Sequence, residues 1–102
     1  MIHATHPLLP QQQLTVFCQR HHIRKLSLFG SVLRDDFTEA SDIDFLVEFE
    51  PNHIPGYFRL TAMEIELSEL IGRKADLRTP NELSHYFRQQ VLQESVVQYV
   101  KN

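Results

Sequence analysis

A chain of 102 residues has room for one domain with a modest core, and its 42% hydrophobic and 23% charged content is that of an ordinary folded protein. A formal net charge of −3 argues against the basic face that direct nucleic-acid binding needs, and a single cysteine, Cys18, excludes an internal disulfide and fits a reducing compartment. No basic-then-apolar leader opens the chain and no apolar run nears spanning length, so the expected setting is cytoplasmic, without membrane contact.

The elements follow in chain order, with no internal repeat or interdomain linker. Residues 1–10, with two prolines and two histidines, read as a loose lead-in to a single domain spanning 1–102. From about Gln11 to His22, Leu14, Phe17 and Cys18 fall at helical spacing. "IRKLSLFG" alternates, with Leu26 and Leu28 on one face, and reads as a strand stopping at Gly30. Residues 31–36 fit a short helix or turn, and "IDFLVEFE" is a second strand with Ile43, Phe45 and Val47 facing one way. After the break at "PNHIPG", Leu60, Met63, Leu67 and Leu70 mark an amphipathic helix over 57–71, closed by Gly72. "RKADLRT" reads as a short third strand. Thr79, Pro80 and Glu82 match a capping box that opens a helix running to about Glu94. The tail "SVVQYVKN" fits a terminal strand or a fraying helix. This order predicts an α/β (α+β) domain, a small mixed β-sheet backed by helices.

The chemistry gathers in "LFGSVLRDDFTEASDIDFLVEFE". Asp42 and Asp44 share a face at the mouth of a strand, where two carboxylates repel unless something compensates them. Hard divalent cations take oxygen ligands, and a pair of such ions can clamp both the attacking and the leaving oxygen of a phosphoryl-type displacement. Gly30 permits close approach of a ligand to backbone, and Ser31 adds a hydroxyl and N–H groups for an anion. Asp76, near the start of the third strand, completes the acidic set if that strand lies beside the second, and can then take a proton from an attacking hydroxyl.

"GSVLRDDFTEASDID" resembles the signature of the DNA polymerase β-like nucleotidyltransferase superfamily: Gly-Ser, ten residues, then Asp-x-Asp. From Leu26 through "GRKADLRTP" to the helix after Pro80, the chain is similar to the MNT-type minimal nucleotidyltransferases. The resemblance implies a polymerase β palm-like fold and transfer of AMP from ATP, with two Mg2+ ions, to a hydroxyl, a tyrosine of a HEPN-type ribonuclease toxin that the protein antagonises. Carried over by position, Gly30, Ser31 and Arg34 hold the triphosphate, Asp42, Asp44 and Asp76 hold the metals, and Asp76 also faces the acceptor hydroxyl. Many relatives follow that arginine with glycine. Here Asp35 and Asp36 stand instead, so either they face solvent or the turn has a different shape.

Length favours an acceptor carried by another macromolecule, hence a hetero-complex or oligomer, over a small-molecule acceptor. The competing expectation is a binding antitoxin that keeps the fold and neutralises its partner by occlusion. His21 and His22, with Arg20, Arg24 and Lys25, read as a solvated helix end, Cys18 as core, and Tyr57, Phe58, Tyr86 and Phe87 as mostly core, with any exposed subset serving a partner surface.

Overall fold

Three helices and four strands follow one another as α1 (Gln11–Arg20), β1 (Ile23–Phe29), β2 (Ile43–Phe49), α2 (Tyr57–Ile71), β3 (Ala75–Arg78), α3 (His85–Glu94) and β4 (Val96–Val100) in the computed structural model. It describes residues 9–35 and 37–101, so the lead-in expected over 1–10 falls almost wholly outside the described residues, as does Asp36.

The sheet order is β3-β2-β1-β4, with β1 antiparallel to β2 and β4 and β3 parallel to β2. The parallel step needs a crossover, which α2 supplies. Alternation then sorts the two faces. Leu26 and Leu28 lie opposite Val47 and Phe45, while Ile43 and Phe45 lie beside Ala75 and Leu77. These residues form one buried cluster with Leu14, Phe17 and Cys18 of α1 and Met63 and Leu67 of α2. Burial pushes the Cys18 thiol up to about 12, so this cysteine is a core residue and not a nucleophile. The intervening positions, Asp44, Asp76 and Arg78, fall on the opposite face.

Helix α2 has the expected bounds. It ends because Gly72 takes the left-handed conformation (φ +72°), with its N–H donating to Ser68 O at 2.9 Å. The tail resolves as strand β4, in keeping with its β-branched residues.

Two expectations are corrected. Glu82 does accept from the Thr79 N–H at 3.0 Å, yet the helix it opens is a single 3-10 turn, Pro80–Glu82. Leu83 turns extended (ψ 142°), and α3 begins after Ser84, whose Oγ accepts from the Tyr86 N–H. A second good N-cap five residues after the first restarts the helix. Arg88 joins the two pieces by donating to Pro80 O and Leu83 O at 2.8 and 3.0 Å. The four aromatics are also not core: Tyr57, Phe58, Tyr86 and Phe87 are 78, 87, 81 and 61% exposed. They occupy the first turns of α2 and α3, beyond the Met63–Leu67 stretch that is buried, and α3 buries none of its residues.

Strand β3 lies at an edge, where its outward N–H groups lack a strand partner. Helix α2 supplies acceptors in their place: Ser68 Oγ takes the Ala75 N–H at 2.9 Å and Glu64 Oε2 takes the Leu77 N–H at 2.8 Å. These two bonds flank Asp76 and hold it in register. Glu64→Ala is expected to cost about 1–2 kcal/mol and to speed amide exchange at Leu77 selectively. Glu64→Gln should retain most of both, and unchanged exchange at Leu77 in Glu64→Ala would contradict this role.

Candidate active site

Strand β1 runs into a 3-10 turn at Gly30–Leu33, held by Arg34 N–H donating to Ser31 O at 2.9 Å and anchored by buried Val32. Gly30 has φ +77°, and a Cβ there would sit 2.5 Å from Asp44 Oδ2. Glycine is therefore required twice, by the backbone and by the carboxylate of Asp44 resting against the bend. Ser31 is half-buried, and Arg34 and Asp35 are exposed.

The loop into β2 is clamped from the far side of the crossover. The Arg73 guanidinium donates to Thr38 O at 2.7 Å and Ser41 O at 2.8 Å and lies over the Phe37 ring, 4.5 Å from its centroid. Thr38 and Ser41 close the turn between them, with Thr38 N–H donating to Ser41 Oγ at 3.1 Å. Asp42 follows, its Oδ2 3.7 Å from Lys74 Nζ. Asp44 and Asp76 are direct register partners across the parallel β2–β3 pair.

This placement sets the electrostatics. Partial burial pushes the Asp44 carboxyl above the ordinary carboxylate value, and the charges of Asp76 and then Asp42 push it further, while Arg78 and Arg34 oppose the rise. The structure thus brings Gly30, Asp44 and Asp76 together, with Asp42 and Arg34 within electrostatic reach. Among the described residues no three Asp, Glu, His or Cys side chains are gathered as a ready-made metal cage. The donor set still suits a hard cation: three carboxylates, mutually repelling, and a bend with no Cβ to block them.

Two cavities of about 370 Å3 flank the acidic pair. One holds Gly30, Arg34 and Asp44 against Phe87 and Val91 of α3. The other holds Asp76 and Arg78 against Tyr57, Leu60 and Thr61 of α2. A larger one of about 590 Å3, between α1 and β4, is lined by none of the residues singled out for chemistry. At the end of α1, Arg20 and His21 pair with Glu66 and His22 with Glu50. His22 is exposed as a solvated helix end would be, whereas His21 is largely buried against the Phe17 ring, a correction to that expectation.

Arg73, Lys74 and Arg78 are the participants that sequence reasoning passed over. Lys74 and Arg78 were within reach of it: positions 74, 76 and 78 share a strand face, so "KADLR" carries a cation on each side of its acid. Nothing local marks Arg73, whose partners lie more than thirty residues earlier.

A mixed sheet that sets paired acids beside a Gly-Ser bend is the architecture of nucleotidyl transfer. Over residues 11–97 the chain matches the nucleotidyltransferase domain family, and it belongs to that family as an MNT-type minimal nucleotidyltransferase. It is similar to the protein adenylyltransferase MntA of Thermococcus cleftensis, 35% identical over 78 residues that cover 76% of this chain and 77% of the relative. A solved minimal nucleotidyltransferase is 30% identical with a TM-score of 0.69, covering 84% of this chain and 86% of its own. The fold also matches a solved complex of a tri-AMPylated Shewanella oneidensis HEPN toxin with its MNT antitoxin, at 16% identity and TM-score 0.65, over 89% of this chain and 70% of the other.

The raised Asp44 value has a consequence for stability in metal-free protein. The folded state holds this proton more tightly than the unfolded one, so stability falls as pH rises from the ordinary value of 3.8 through the raised native value and stays lower above it. In chelator at neutral pH, Asp44→Asn is expected to resist urea better than the wild type, with the difference shrinking well below pH 3.8. A variant weaker at neutral pH would show that the charge is not a burden on the fold.

Proposed function

We propose that the chain is a protein adenylyltransferase that moves AMP from ATP to a tyrosine hydroxyl of a HEPN-type toxin and thereby acts as its antitoxin. The observation that carries this reading is the Asp44–Asp76 pairing, with the Asp44 carboxylate resting against Gly30. The name of the Thermococcus relative and the composition of the Shewanella complex support the AMP transfer and the partner class.

In this reading Gly30 and Ser31 offer backbone and hydroxyl to the phosphates, and Arg34 adds a positive charge at the same cavity. Asp42, Asp44 and Asp76 would hold magnesium, which when bound neutralises charge developing on the transferring phosphoryl group. Asp42 is suited to swing toward an ion, since its side chain is 41% exposed with Lys74 nearby. Asp76, in the second cavity, accepts the proton of the attacking hydroxyl. Asp35 is exposed, so its charge is turned to solvent and does not crowd the phosphates.

The exposed aromatics at the starts of α2 and α3 favour a second reading, occlusion of the partner without transfer. One experiment separates the two. With labelled ATP, magnesium and a HEPN toxin, the wild type should label the toxin, and Asp44→Asn or Asp76→Asn should lower the rate about 100-fold or more. Full neutralisation of the toxin by both variants, without label, would establish occlusion instead.

A further inference from the structure

We propose that Tyr57 is itself an acceptor, so that the chain adenylylates its own Tyr57 in cis. The inference rests on the nucleotidyl-transfer reading above and names a further substrate of the same site. The cavity that holds Asp76 is lined by two hydroxyl side chains, Tyr57 and Thr61. Thr61 has committed its proton, donating from Oγ1 to Tyr57 O at 3.1 Å. The Tyr57 phenol is 78% exposed, and its hydroxyl has no hydrogen-bond partner among the described residues. Leu60 and Leu77 line the same cavity, and Arg78, 3.7 Å from Glu82, places a cation on its rim. The first turn of α2 thus presents a phenolic hydroxyl to the cavity that Asp76 also lines. Tyr86, as exposed as Tyr57, lines neither flanking cavity.

The step balances with a nucleoside triphosphate as the only co-reactant. Tyr57 Oη forms a bond to the α-phosphorus, the bond from that phosphorus to the bridging oxygen breaks, and pyrophosphate leaves. The phenolic proton passes to the Asp76 carboxylate, leaving AMP as a phosphodiester on Tyr57. Tethering in one cleft replaces a bimolecular encounter with an intramolecular one, which favours this acceptor when no partner protein is present.

Two measurements test it. Incubated alone with ATP and magnesium, the full chain should gain one AMP by intact mass, mapped to the peptide containing Tyr57, at a rate independent of protein concentration. The addition should vanish in Tyr57→Phe and in Asp44→Asn. Without turnover, Mn2+ alone should broaden the ring-proton resonances of Tyr57 and leave those of Tyr99, on β4, sharp. AMP on another residue, a rate that rises with protein concentration, or sharp Tyr57 resonances while the Asp44 and Asp76 amides broaden would each overturn the proposal and leave transfer to a partner standing. Sharp Asp44 and Asp76 amides together with no label on a HEPN toxin would overturn the parent reading and this proposal with it.

Discussion

Two carboxylates facing each other across a parallel strand pair is an arrangement that a fold selected for stability alone would avoid. Adjacent strands are about 4.8 Å apart, and two full charges at about that distance repel by about 3 kcal/mol at an effective dielectric of about 20. Burial first, and then the charges of Asp76 and Asp42, leave Asp44 a carboxyl that gives up its proton less readily than usual. The rest of the sheet keeps the pair together despite this. Ile43 and Phe45, on either side of Asp44, are buried in the core, as are Ala75 and Leu77 on either side of Asp76. Because strand neighbours point to opposite faces, sinking the apolar residues forces the acids outward, side by side.

Register alone would not suffice for a four-residue edge strand. The outward N–H groups of β3 are taken by Ser68 and Glu64, one turn apart on α2. The crossover helix is therefore both the covalent link that makes β3 parallel and the row of acceptors that stops it sliding. Arg73, immediately after the helix cap, holds the loop before Asp42 by two carbonyls. One short stretch, residues 64–78, thus governs the position of all three candidate acids although it contains only one of them.

Much of this was legible in the residues. The spacing of Leu60, Met63, Leu67 and Gly72 fixes α2 to its ends, and Gly30-Ser31 with Asp42-x-Asp44 marks the bend and the strand mouth. The parallel neighbour was legible only conditionally, since no single strand states which other it will join. What stayed hidden falls into two kinds. The start of α3 depends on competition between two caps, Thr79 and Ser84, both of good type, and local sequence ranks them equally. The exposure of Tyr57, Phe58, Tyr86 and Phe87 depends on where the core stripe of each helix ends, and aromatic identity reports hydrophobic area, not its burial. Long-range polar contacts such as Arg73 to Thr38 carry no local pattern at all.

The cations around the acids explain how the chain tolerates the pair. Lys74 stands 3.7 Å from Asp42, and Arg34 and Arg78 each favour the ionised form of Asp44. All three are exposed, so solvent screens them and each softens the repulsion only in part. A buried arginine in bidentate contact would have cancelled the repulsion more fully. The same exposure leaves Arg34 lining one cavity and Arg78 the other, so the counter-charges stand on both sides of the acidic pair. Partial neutralisation by exposed cations on both sides lets one small sheet carry acids this close together.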